Sequence, residues 1–295
     1  MRIWGRVALL LTVGAVFATP AGASADEVGV PATVCGTPLS DGELDSIARL
    51  SDSVAAGEDA LAQLESGVAR LHEITAILNS HGDRRGLFGI GLDAVEQDAV
   101  MPLQRDPGAF ENRDYAHAIS LDLLSRYLRN LHAEFTGGTV EPHWAHYFDL
   151  AGRCDISPAR VAMAGYDAHL TVDLSYSVAA MGSRIENSAD YFKIVATIAA
   201  AGDEIVDRTE DVYHADLGPL WRFYFLGEGL DQLVGKGVAT RPMLVLADVG
   251  ANVVIFGNGL SLENPALHDP TAAEIGGLYG AADTAFDVLS GLHAL

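Results

Sequence analysis

A long stretch almost free of charge, RVAMAGYDAHLTVDLSYSVAAMG at residues 160–182, constrains the fold of this chain most. It contains no proline, and the Ser-Pro before it and the Gly-Ser after it are start and stop signals of a single helix. A helix on a protein surface carries charged residues along its outer face. Here the only acidic residues or histidines are Asp167, His169 and Asp173. We therefore expect this helix to be surrounded by other helices.

The polar residues of this stretch predict a buried site. His169 and Asp173 are four residues apart, so in an α-helix they lie on the same face on successive turns. A buried carboxylate is costly unless it is paired, hydrogen-bonded or bound to a metal. Asp167 adds a second carboxylate, which the helical repeat directs away from that face. These residues indicate a polar site without naming its reaction.

Most of the remaining chain has the three- and four-residue apolar spacing of helices, which predicts an all-α, multi-helix bundle with the 160–182 helix at its centre. Two regions are less regular. Residues 83–110 are rich in Gly and Pro, and we predict a long loop with one helical turn near 92–95. Residues 241–262 combine β-branched and apolar residues without a turn signal, and we predict a buried helix broken at 257–259.

The two ends of the chain indicate export and a domain plan. Residues 1–25 begin with two arginines, continue with a short apolar run and end in Ala-Ser-Ala, which is typical of a cleaved signal peptide and of a secreted protein. We predict an extended segment at 26–40 and a single helical domain at 41–295. The only two cysteines, Cys35 and Cys154, are predicted to form a disulfide bond, with two free or intermolecular thiols as the alternative.

The charge of the chain limits its partners. The formal charge is −22, and loss of Arg2 and Arg6 with the signal peptide leaves 16 basic and 40 acidic residues, or −24. This balance argues against binding nucleic acid or anionic lipid. No later segment is apolar over the length of a membrane span, so stable membrane insertion is not expected. A small-molecule or lipid-like substrate fits better, and the sequence does not indicate the oligomeric state.

Three further histidines are candidates for the same site. His117 lies near the start of a predicted helix at about 112–135, on its apolar face. His143 and His146 are three residues apart in EPHWAHYFDL, on one side of another helix, and could chelate a metal or line a pocket. The alternatives are structural: His117 bonded to a backbone carbonyl, and the other two packed among aromatic residues.

Three consecutive segments resemble one known family. They are EPHWAHYFDLAGRC, AGYDAHLTVDLSYSVA and SADYFKIVATIAAAGDEIVD, and the resemblance covers about residues 107–215. Their order and spacing are similar to the uncharacterised family catalogued as domain of unknown function 5995, in which Gly-x-Asn-Ala-His-x-x-x-Asp-Leu lies on a helix. Asp167 stands where that family usually has Asn. The matching residues are Gly165, Ala168, His169, Asp173, Leu174, Asp190 and Tyr191.

A fainter resemblance is to zinc-dependent phospholipase C and related single-strand nucleases, which bind zinc through His-x-x-x-Asp on a buried helix. Only His169 and Asp173 match. The mature chain lacks the N-terminal Trp and the later His-x-x-x-Glu of those enzymes, so a trinuclear zinc cluster is not expected.

Four hypotheses of function follow. The first is a secreted metal-dependent hydrolase of an ester or phosphoester, in which His169 and Asp173 act with Asp167 and a divalent metal, such as zinc, is held by His169, Asp173, His117 and one of His143 or His146. Zinc lowers the pKa of bound water to about 7 and so supplies a nucleophile. The second is a metal-free enzyme in which Asp173 orients His169 as acid or base. The third is a protein that binds an apolar ligand or haem, and the fourth is a purely structural His–Asp pair.

Overall fold

The structure is a computed structural model that describes residues 31–52, 59–217, 240–292 and 295, with the backbone alone at 240–249. Every regular element in these ranges is helical, which confirms the all-α prediction. The helices are α1 (Asp41–Ser51), α2 (Ala60–His81), α3 (Leu87–Val95), α4 (Met101–Arg105), α5 (Arg113–Thr136), α6 (Pro142–Ala151), α7 (Pro158–Asp167), α8 (Leu174–Ala180), α9 (Ser188–Ala200), α10 (Gly202–Tyr213), α11 (Thr240–Leu262) and α12 (His268–Gly291). Short 3-10 turns occupy Arg84–Gly86 and Ile185–Asn187, and π-helical turns occupy Glu96–Val100 and Ala168–Asp173.

The predicted central helix is present and lies where the sequence indicates. It runs from Pro158 to Ala180 as α7, the second π turn and α8, and it begins after Ser157, whose side chain accepts a hydrogen bond from the Arg160 N–H. Every residue from Ala159 to Asp167 is buried. Helices α3, α6 and α12 pack against α7, while α11 packs against α8. The near-absence of charge in this stretch thus reflects a helix that is fully buried up to His169 and partly exposed in its second half.

The prediction of a long loop at 83–110 is wrong, because the segment is mainly helical. It contains a 3-10 turn, α3, the first π turn and α4. Its glycines are contact points, not helix breakers. A Cβ at Gly91 would lie 1.9 Å from the Tyr166 hydroxyl oxygen, and one at Gly86 would lie 2.9 Å from the Leu78 Cβ. Small residues here allow α3 to approach α7, and the 3-10 turn before α3 to approach α2.

The predicted break at 257–259 is also wrong, since α11 continues through it to Leu262. The reason is again a close contact. A Cβ at Gly259 would lie 2.3 Å from the Val178 Cβ on α8, so this position requires glycine for packing. Gly257 has open space around it and does not end the helix.

The predicted disulfide bond joins Cys35 to Cys154, with their Cα atoms 5.4 Å apart. It ties the segment before α1 to the turn between α6 and α7. Among the described residues, no helix combines the length and hydropathy that crossing a bilayer requires. The signal peptide predicted at residues 1–25 lies outside the described ranges.

The first π turn buries a carboxylate whose ionisation opposes folding. Glu96 is buried, and its Oε2 has no hydrogen-bond partner among the described residues. Burial, with a smaller contribution from the charge of Asp93, raises the pKa of Glu96 from 4.5 to about 8. Between these two values the unfolded chain has released a proton that the folded chain retains. Stability therefore falls as the pH rises through this window.

We expect Glu96→Gln to raise the melting temperature at a pH near 8 by at least about 4 °C and to change it little near pH 4. The amide keeps the size of the side chain and removes its ionisation. Asp98→Asn is the matched control, since Asp98 lies in the same π turn but is exposed. Thermal unfolding followed by circular dichroism across this pH range makes the measurement. Equal shifts for Glu96→Gln at both pH values would contradict the assignment.

Candidate functional site

The second π turn sets the geometry of the candidate site. It extends from Ala168 to Asp173 and widens the helix by one residue in that turn. The His169 Nδ1 consequently lies 3.9 Å from the Asp173 Oδ2, which is too far for a hydrogen bond. The two residues face each other, as their spacing predicts, without bonding to each other. Turns of this type occur frequently at functional sites.

Asp173 bonds instead to the first turn of α6. His143 Nε2 lies 3.0 Å from Asp173 Oδ1, and the Trp144 indole Nε1–H donates to Asp173 Oδ2 at 2.8 Å. Asp173 is 1% exposed and Trp144 is fully buried. Pro142 at the start of α6 fits the first helical turn and so helps to place His143 and Trp144 against the central helix.

A third residue, Glu141, completes a cluster with His143 and Asp173. One ligand atom from each of the three residues lies within 4.8 Å of the others. The Glu141 Oε2 is 3.5 Å from His143 Nε2. The side chain of Glu141 is 49% exposed, that of His143 12% and that of Asp173 1%. The cluster therefore extends from the protein interior to solvent.

Two distances in this cluster, both from His143 Nε2, are close to those between ligands of one metal ion. In tetrahedral coordination with metal–ligand bonds of about 2.0 Å, neighbouring ligand atoms are about 3.3 Å apart. The observed His143–Asp173 and His143–Glu141 distances, 3.0 and 3.5 Å, lie on either side of that value. Imidazole nitrogen and carboxylate oxygen are ligands that zinc and other divalent ions accept. The residues present thus fit a divalent cation.

His169 lies beside the cluster as a neutral imidazole. Its ring packs 5.0 Å from the Phe88 ring and 6.4 Å from the Trp144 indole, between centroids. Burial lowers the pKa of His169 to about 4, although the charge of Asp173 opposes this shift. Its Nδ1 is buried and has no hydrogen-bond partner among the described residues. A neutral imidazole can accept or donate a proton, or bind a metal.

Asp167 has a separate environment on the same helix. Its Oδ1 accepts a hydrogen bond from the Thr171 hydroxyl at 2.6 Å, and its buried Oδ2 has no partner in the described ranges. Burial raises its pKa to about 7, and the nearby charge of Asp283 adds to this, while the Thr171 bond and the charges of Arg160 and His143 lower it. A carboxyl group with a pKa near 7 can both accept and donate a proton at neutral pH.

Helix α12 forms one wall of the site. The Tyr279 hydroxyl donates to the main-chain oxygen of His143 at 3.3 Å. Asp283 accepts from His146 Nε2 at 3.0 Å and from Arg160 Nη2 at 2.5 Å, and Arg160 Nε also donates to Asp287 at 2.9 Å. Arg160 is 1% exposed, so these ion pairs fix the last helix against α6 and α7.

Three of the predicted ligands are not part of the cluster: His169 lies beside it, and His146 and His117 are placed elsewhere. His146 faces Asp283 on α12, three residues along α6 from His143 but in a different contact. The His117 ring lies against Phe110, and its Nε2 is 3.1 Å from the main-chain oxygen of Gln104, the structural alternative stated above. The sequence-based prediction did not include Glu141. Its position two residues before His143 is the one signal that could have identified it.

Comparison with known proteins identifies a family. A family model described as a family of unknown function, DUF5995, matches residues 64–238. Because this match covers more than half of the chain, the protein belongs to that family, as the sequence resemblance indicates. No curated protein and no solved structure matches the chain significantly. The resemblance of the His169–Asp173 pair to zinc-dependent phospholipase C is therefore unsupported by any match.

Proposed function

We propose that this protein is a divalent-cation-dependent hydrolase of an ester or phosphoester. The observation that carries the proposal is the spacing of the Glu141, His143 and Asp173 ligand atoms, all within 4.8 Å and open to solvent on the Glu141 side. Catalytic zinc sites use three protein ligands and leave a position for water or substrate. The DUF5995 family has no settled activity, so the site alone supports the reaction.

The residues around the cation would have distinct roles. Glu141, His143 and Asp173 would hold the ion, which would supply an activated water and polarise the substrate oxygen. Trp144 keeps Asp173 in place by bonding its second oxygen. Asp167, whose pKa is about 7 and whose carboxyl group interacts with the charge of His143, would act as general base. The neutral His169 would lie beside the reacting groups to donate or accept a hydrogen bond.

The second candidate is a metal-free enzyme, which the direct contact between His143 and Asp173 favours. A carboxylate bonded to one ring nitrogen orients an imidazole and stabilises its protonated form. Here the 3.0 Å bond to a buried Asp173 would leave the other nitrogen of His143 for acid–base chemistry. In this arrangement His143 takes the role that the sequence assigned to His169.

We also propose that the protein acts outside the cytoplasm. The disulfide bond between Cys35 and Cys154 supports this, since such bonds persist in oxidising compartments. The predicted signal peptide at 1–25 agrees with it. The acidic charge of the chain and the half-exposed ligand Glu141 favour a small-molecule or lipid-like substrate.

The test compares His143→Ala with the matched control His146→Ala on the same helix. After treatment with a chelator, the wild type should bind one Zn²⁺ or Mn²⁺ per chain by isothermal titration calorimetry, and it should hydrolyse p-nitrophenyl acetate or bis-p-nitrophenyl phosphate only when the cation is restored. We expect His143→Ala to weaken binding at least about 100-fold, because it removes a ligand, and His146→Ala to retain it.

Three results would decide against the cation. The cation-dependent reading would be wrong if the wild type bound no stoichiometric cation. It would also be wrong if His143→Ala and His146→Ala weakened cation binding equally. Hydrolysis that persists in chelator and is lost in His143→Ala would establish the metal-free alternative instead.

A further inference from the structure

We infer that Asn130 is the positioning residue of the cation site, acting through Glu141; this inference rests on the proposed function. Asn130 lies on α5, is 4% exposed, and is not one of the three residues that would bind the cation. Its amide nevertheless contacts both ends of the most exposed ligand. No feature of the sequence singles it out.

The geometry shows how one amide can fix a whole residue. The Glu141 backbone N–H donates to Asn130 Oδ1 at 2.8 Å, and Asn130 Nδ2 donates to Glu141 Oε2 at 3.3 Å. Nδ2 also donates to the main-chain oxygen of Arg126 at 3.0 Å, one turn earlier on α5. The amide orientation is therefore fixed by its own helix, and the position of Glu141 follows from it.

Glu141 needs such a partner because, within the described residues, its carboxylate is otherwise contacted only by His143 Nε2, at 3.5 Å. It is the N-cap residue of α6, yet its side chain makes no hydrogen bond to the first turn of that helix. A side chain that is half exposed would otherwise sample several rotamers and would lose that freedom on binding a cation. Held by Asn130, the Oε2 stays 3.5 Å from His143 Nε2, so the ligand is already placed before the ion arrives. Partners of this kind commonly change metal affinity about 10- to 100-fold.

A double-mutant cycle separates this role from a purely structural one. We would measure Zn²⁺ binding by isothermal titration calorimetry for wild type, Asn130→Ala, Glu141→Ala and the double variant, with the melting temperature of each. Asn130→Ala should weaken binding about 10-fold in the wild-type background and less than about twofold when Glu141 is already alanine. Asn112→Ala, which removes the cap of α5 far from the cluster, should lower the melting temperature and leave the affinity unchanged.

The outcomes are distinct. Equal weakening in both backgrounds, or no weakening by Asn130→Ala, would overturn the positioning role while the cation site stands. A wild type that binds no cation would overturn the proposed function and this inference together. Asn130→Ser provides the same comparison if Asn130→Ala does not fold, because it keeps a polar side chain at this buried position but removes the amide N–H that donates to the Glu141 carboxylate.

Discussion

Replacing Asp173 by alanine should lower the affinity for Zn²⁺ at least about 100-fold and abolish any cation-dependent hydrolysis, because it removes the most buried ligand of the cluster. It should also destabilise the fold by about 1 to 3 kcal/mol, since the buried Trp144 indole N–H loses its acceptor. Calorimetric titration with Zn²⁺ and thermal unfolding of the same preparation measure both effects.

Asp167→Ala is the matched control on the same helix. It removes a buried carboxylate that bonds to Thr171 and not to the cluster, so the Zn²⁺ affinity should stay close to that of the wild type while hydrolysis falls. If Asp173→Ala loses only stability and the wild type binds no metal, Asp173 serves the fold alone. If both aspartate variants lose Zn²⁺ equally, Asp167 is itself a ligand and the assignment of the cluster is wrong.

The double variant Cys35→Ser/Cys154→Ser should lower the free energy of unfolding by about 5 kcal/mol, in the chain-entropy account of a long closed loop. The bond links residues 119 positions apart, so its loss gives the unfolded chain much more freedom. Urea unfolding followed by circular dichroism gives this value. Thiol titration of the oxidised wild type should find no free cysteine.

Reductant provides the control for the disulfide. Reduced wild type should unfold at the same urea concentration as the double variant, whose midpoint should not respond to reductant. A double variant as stable as the oxidised wild type would show that the loop is already closed by other contacts in the unfolded chain. Zn²⁺ binding by the folded double variant should be retained, because neither cysteine contacts the cluster.

The glycines show why part of the fold could not be predicted from sequence. Helix boundaries near 112–135 and 160–182 were predictable because Asn112, Ser157 and Gly137 occupy real cap positions. Gly91 and Gly259 carry the same local signal, yet each lies inside a helix where a side chain would collide with a neighbour. Whether a glycine ends a helix or admits a neighbouring helix depends on tertiary contacts, which local spacing does not encode.

The site was predictable in part for a related reason. The scarcity of charge identified the helix that carries Asp173, and the aromatic segment at 141–150 supplied His143. The partner of Asp173 was not predictable. The sequence spacing pairs it with His169, but the π turn separates these two residues, and Asp173 bonds to His143 and Trp144 instead. Glu141 is brought to the cluster by the packing of α6 on the central helix, so its participation depends on the fold.

The π turn at 168–173 also makes the number of residues in the central helix as important as their identity. Deleting one residue there would restore a regular α-helix and rotate the two halves by about 100° relative to each other. Asp173 could then no longer face α6 while Val178 kept its contact with Gly259 on α11. In an alignment of relatives, a one-residue gap within this turn would therefore indicate a lost site even where the residues aligned with His169 and Asp173 are identical.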